Sequence, residues 1–256
     1  MRRRSYIALL GLATITTFGL ASAQHHPAPP QGHSSTQQVD PAGSPQPFAF
    51  AVYGAFRDMM QKKDHTPKVV LGKLLSQGAA SGLRAEITII DGKPLVTYGD
   101  PCPSCLPLHS ETATLLVTNK VSSWSDPIPL PDDLTGHALD RFIIEQAGRA
   151  GLDMRQPFPI RIRGTLNNVA MHVIKAANPK FGGHGSGQPM ALQEDIKAAS
   201  IDGEVVGFYA PEALLGIVTH PGEPFHYHWV DTARTKTAHL DAFGMAKGLT
   251  LMLPKR

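Results

Sequence analysis

Between Glu204 and Leu253 the chain offers five short runs with strand composition, at 204–209, 214–218, 225–230, 238–243 and 249–253, joined by connections too brief to hold a helix. A parallel crossover needs a dozen or more residues, so strands joined this closely must pair antiparallel. That constraint sets the expected class: α+β, with a dominant antiparallel sheet, barrel-like, and a few flanking helices.

The same region carries the most chemically informative spacing. Alternate side chains of a strand share a face, so His226 and His228 in Phe225-His226-Tyr227-His228-Trp229-Val230 point one way and the three aromatics the other. The polar loop 231–236 has hairpin length, and a turn centred between Ala233 and Arg234 sets His239 opposite His228 on the same face. Three neutral imidazoles with an open fourth position are what a catalytic zinc site uses. The plainer alternative is that these are ordinary partly buried side chains, since the chain holds twelve histidines.

Upstream, the strongest local signal is a hairpin, 84–90 and 93–98, turning at Asp91-Gly92, where both central positions need positive φ. Glu86, Thr88 and Ile90 share one face of its first strand. A short helix is expected over 69–75, a strand over 112–118 and the best helix over 133–147, with Leu134, Leu139, Phe142, Ile143 and Ala147 as its apolar stripe. A strand over 158–174 contains His172, and the glycine-rich 179–189 around His184 reads as a loop. A mixed sheet over about 47–155 and an antiparallel sheet over about 156–256, the latter with the metal site, are expected.

The N-terminus reads as a targeting segment. Arg2, Arg3 and Arg4 precede a mostly apolar 6–20, and Ala21-Ser22-Ala23 is a small-residue cleavage site, so residues 1–23 are expected to be a signal peptide and the mature protein periplasmic or secreted. The apolar stretch is too short for a membrane span. Cleavage lowers Lys+Arg from 24 to 21, matching 21 Asp+Glu, so the mature chain is formally neutral. Neither nucleic acid nor a membrane is an expected partner. Residues 24–46, rich in Pro, Gln, Gly, Ser and His, read as a disordered linker, in which His25, His26 and His33 belong to a solvated tail or bind metal loosely. Cys102 and Cys105, flanked by prolines in an exported chain, suit a small loop disulfide, with redox and metal roles open.

Four motifs in order resemble the α-acetolactate decarboxylase family from about Phe48 to Pro254. Glu86 stands five residues before the turn Asp91-Gly92; Ile160-Arg161-Ile162-Arg163-Gly164-Thr165 and Val206-Gly207-Phe208-Tyr209-Ala210-Pro211 follow; His226-Tyr227-His228 and His239-Leu240-Asp241 close the series. The resemblance implies zinc held by His226, His228 and His239, with Glu86 near or on the metal. It also implies removal of CO2 from 2-acetolactate, a 2-hydroxy-3-keto acid, to give acetoin, and a homodimer. In that chemistry zinc acts as a Lewis acid toward the substrate oxygens and a carboxyl such as Glu86 delivers a proton. Read without the family, Glu86 is a surface strand carboxylate beside a Lys or Arg.

Three departures stand out. His172 occupies the place of the family's active-site arginine, eight residues after Gly164, exchanging a permanent forked charge for a group only partly charged near neutrality. The family's Gly-Thr before the hairpin reads Gly78-Ala79, and the family's C-terminal glutamate finds no counterpart in Pro254-Lys255-Arg256. His172 is nonetheless a candidate catalytic residue, as hydrogen-bond donor or proton carrier. A zinc-hydroxide hydratase or hydrolase and a non-catalytic metal-binding protein remain the alternatives.

Overall fold

The computed structural model describes residues 37–38, 50–52, 74–80, 82–100, 111–132, 134–182, 187–245 and 248–255. The expected signal peptide, the Cys102/Cys105 pair, His184 and residues 69–73 lie outside them, as does the expected linker apart from Gln37 and Gln38. Contacts divide the chain into 1–33 and 34–256, and every described residue lies in the second unit.

Two six-stranded sheets make up the fold. The first contains β1 (Gln37–Gln38), β2 (Phe50–Val52), β3 (Leu74–Ala80), β4 (Ala85–Ile90), β5 (Lys93–Tyr98) and β6 (Ala113–Lys120), in the order β1-β2-β6-β3-β4-β5. The second contains β7 (Ile128–Pro129), β8 (Phe158–Ala177), β9 (Ala191–Tyr209), β10 (Phe225–Val230), β11 (Thr237–Met245) and β12 (Thr250–Met252), in the order β11-β10-β9-β8-β12-β7. β11 pairs with β8 as well as β10, so β8, β9, β10 and β11 close into a ring. Among the described residues every pairing between strands is antiparallel, in the first sheet too, where a mixed sheet was expected. Tight turns impose this: Asp91 and Gly92 take φ of 52° and 78°, and Ile90 faces Lys93 across the turn.

The single α-helix among the described residues, α1 (Gly136–Arg149), buries Leu139, Ile143 and Ala147 in one core with Phe158, Ile160 and Ile162 of β8. A few flanking helices were expected; the remaining helical piece described is one 3-10 turn, Glu212–Leu214. It stands where a strand over 214–218 was expected. Pro211 lacks an amide proton to donate, Gly216 has φ of 75°, and Leu214, Ile217 and Val218 donate locally to Pro211 and Leu214. The helix expected over 69–75 is likewise corrected where it can be seen, because Leu74 and Leu75 open β3.

β9 begins thirteen residues before its expected start at Glu204. Its first thirteen residues pair with β8 from Ala191↔Ala177 to Gly203↔Gly164, with one irregularity between Ile174 and Ala176, yet their side chains are mostly exposed or half-buried. The backbone ladder carries a segment whose apolar pattern is too weak to announce a strand.

Period-two alternation divides the second sheet chemically. Phe225, Trp229, Ala238 and Leu240 join the helix-side core, while Val206, Phe208 and Val230 join a core shared with Ala79, Ile90, Leu115 and Val117 of the first sheet. His226 and His228 share the parity of Val230, so they face the first sheet. The strand opposite them there is β4, whose six residues are all buried.

Candidate metal centre

The hairpin between β10 and β11 sets the histidine register. Within it Asp231 accepts from the amides of Thr235 (2.6 Å) and Lys236 (2.8 Å) and from the Thr235 hydroxyl (2.7 Å), and Arg234 takes a positive φ of 54°. The result is His228 paired with His239, the register that the loop length predicts. On its other edge β11 brings His239 beside His172 of β8.

The five residues singled out in the sequence lie near one another here, but His228 falls outside both groups whose donor atoms converge within 4.8 Å. His226 Nε2 lies 3.0 Å from His239 Nδ1, the His172 and His239 ring centres are 4.6 Å apart, and Glu86 Oε2 lies 3.6 Å from His228 Nε2. Glu86 is 4% exposed, which overturns its reading as a surface carboxylate; its Oε1 accepts from the Ile174 amide at 3.4 Å.

A chain of hydrogen bonds settles the His228 tautomer. Thr237 donates its hydroxyl to the Trp229 carbonyl (2.9 Å), so it must accept from Thr88 (2.6 Å). Thr88 has then spent its proton and accepts from His228 Nδ1 at 2.9 Å. His228 Nε2 is therefore a lone pair, fully buried and without a hydrogen-bond partner among the described residues. An orphaned acceptor costs on the order of 1–3 kcal/mol. A metal ion would satisfy it, and an imidazole whose other ring nitrogen is anchored by a hydrogen bond has the surroundings common to metal-binding histidines.

The electrostatics agree with a ligand set. Burial pushes His226 and His239 well below the ordinary imidazole range, His228 to about 3 and His220 to about 4, with neighbouring histidines, His172 among them, adding to each. Neutral imidazoles are the form that binds metal. Burial raises Glu86 to about 7 against the opposing charge of His172. For His172 burial acts downward, but its bonds from Nδ1 to both Asp241 oxygens (2.8 and 3.0 Å) and the carboxylates of Glu86 and Asp195 prevail and raise it.

His220 is the residue that the sequence reading missed. Donor atoms of His220, His226 and His239 all lie within 4.8 Å of one another, and those of His172, His239 and Asp241 form a second such group. His220 sits on the turn before β10, in no alternating pattern; its spacing of six from His226 was the one available hint. A cavity of about 300 Å³ exposes Glu86, His172, His220, His226 and His239 between apolar walls that include Leu83, Leu115, Ile174 and Met190. Another of about 440 Å³ is lined by His220, His226 and His239 together with Asp140, Glu223 and Asp241. The arrangement offers buried neutral ligands for one metal ion, a carboxyl that titrates near neutrality, and beside it an imidazole whose basicity Asp241 and Glu86 raise.

Comparison with known proteins adds the lineage. The family profile described as alpha-acetolactate decarboxylase matches residues 69–253. Among solved structures, alpha-acetolactate decarboxylase from Bacillus subtilis strain 168 is similar in fold at 14% identity, with a TM-score of 0.63 over 80% of this chain and 85% of that one. The acetolactate decarboxylase of Bacillus subtilis subspecies spizizenii is similar at 13% identity, TM-score 0.63, over 80% and 85%. A Staphylococcus aureus protein of unknown function, described as similar to alpha-acetolactate decarboxylase, reaches 17% identity and a TM-score of 0.50 over 79% and 83%. No curated protein sequence matches. The low identities speak for the fold alone, but the profile spans most of the chain, and with it the chain belongs to the alpha-acetolactate decarboxylase family.

Proposed function

We propose that this protein is a zinc-dependent decarboxylase of 2-hydroxy-3-keto acids, converting 2-acetolactate to acetoin and CO2. The observation that carries the reading is Glu86: a buried carboxyl raised to about 7, beside a cluster of neutral imidazoles and lining the same cavity. His226, His228 and His239 would hold the metal, which when bound supplies Lewis-acid stabilisation of charge on the substrate oxygens.

Loss of CO2 leaves an electron pair that ends on the former ketone oxygen, and the carbon that lost the carboxylate must then gain a proton. Glu86 is half protonated near pH 7, so it can give that proton and recover it from solvent. His172, held by Asp241 and raised in basicity, lines the cavity as the proton donor toward the substrate carboxylate, in the place where the family has an arginine. Apolar walls limit water around the developing charge. The signal-like sequence of residues 1–23 supports action outside the cytoplasm, with cleavage expected after Ala23, and the family supports a homodimer.

The test is incubation of purified, zinc-loaded mature protein with racemic 2-acetolactate while acetoin is followed. Zinc-dependent acetoin is expected. Folded, metal-loaded protein that makes none sinks the reading for this substrate.

A further inference from the structure

We propose that His220 is a fourth metal-binding imidazole of this centre, joining His226, His228 and His239. The inference rests on the metal reading above and goes beyond it by adding a residue outside the family motifs.

Geometry carries it. The His226 and His239 rings lie 4.7 Å apart and form a central pair. His220 stands 5.4 and 5.3 Å from these two, and His228 stands 5.1 and 5.6 Å from them. Rings sharing one tetrahedral ion have centres roughly 5 Å apart, because nitrogens bound at about 2.0–2.1 Å stand roughly 3.3 Å from each other. The His226–His239 nitrogen separation of 3.0 Å is already near that value. His220 therefore meets the central pair at the same ring range as His228 does, and it is His220, not His228, whose donor atoms fall within 4.8 Å of those of His226 and His239.

The support of each ligand differs. His226 and His228 ride on β10 and His239 on β11, whereas His220 is held on a turn. There its carbonyl accepts from the Glu223 amide at 3.1 Å, and the Thr219 hydroxyl spans the turn to the Glu223 carbonyl at 2.5 Å. Those bonds fix the backbone that delivers the ring. Both cavities reach His220, His226 and His239, so the turn-borne imidazole lies where solvent and ligands reach the cluster. Zinc in catalytic sites sometimes expands to five ligands, so four imidazoles would still admit one substrate oxygen.

Two measurements test this without turnover. In imidazole-tuned 1H–15N spectra of assigned wild-type protein, added zinc should shift the ring nitrogens of four histidines, His220 among them; three shifted histidines with His220 unmoved overturn the proposal. In chelator competition H220A should bind zinc at least about tenfold more weakly than wild type, and equal affinity in a folded variant overturns it too. Wild-type protein that takes up no zinc removes this inference along with the zinc reading. Four shifted histidines in a protein that makes no acetoin keep it and remove only the decarboxylase assignment.

Discussion

At the scale of single residues, burial decides the chemistry. Glu86 is an ordinary carboxylate by composition and becomes an acid near neutrality because β4 is covered on both faces. E86Q should lower kcat by roughly 10²–10⁴ while keeping the zinc content of wild type, measured by acetoin formation and metal analysis. The same group leaves a mark on stability. Its folded value of about 7 lies above the ordinary 4.5, so its contribution is complete below pH 4.5 and is lost as pH rises through 7. Denaturant unfolding of the metal-free proteins should thus find E86Q equal to wild type at pH 4 and more stable by up to about 3 kcal/mol at pH 8. Thr88 acts differently, by holding the His228 ring. T88V should weaken zinc binding roughly 10–100-fold in chelator competition, with the fold retained.

Among the elements, two short connections place the site. Asp91-Gly92 sets β4 against β5, and the Asp231 loop sets His228 against His239. Both were readable, because turn residues and loop length determine register locally. β9 lies between β10 and β8, and there Gly207 gives space to its cross-strand partners: a Cβ at that position would meet Tyr227 Cδ1 at 2.7 Å and Ile160 Cγ1 at 3.0 Å. G207A should cost about 1–3 kcal/mol in denaturant unfolding, since two packed side chains must move. The long exposed arm of β8 and β9 was legible only in part. Its apolar alternation fades after Ile174, and cross-strand pairing rather than side-chain burial sustains it.

At the scale of the whole fold, the two sheets and the one α-helix of the described residues enclose a polar centre that lies between the sheets. Glu86 and Thr88 come from the first sheet; His172, His226, His228 and His239 come from the ring of the second. A metal held by the second sheet and flanked by the first couples binding to the packing of both. Zinc should accordingly raise the Tm of the metal-free protein in scanning calorimetry, with about 2.7 kcal/mol of added stability at a free zinc concentration one hundred times Kd.

Much of this was present in the residues alone. Alternation placed His226 and His228 on one face, loop length placed His239 opposite, short connections required antiparallel pairing, and the order of motifs pointed to the family. These are local properties, and local geometry carries them. Tertiary structure decided the rest: that β4 lies against the histidine face, so that Glu86 is buried beside His228; that β8 closes on β11, so that His172 and Asp241 meet; and that a turn returns His220 to the same centre. Each depends on segments far apart in the chain being packed together, and no periodicity within one segment encodes which surface another will present to it.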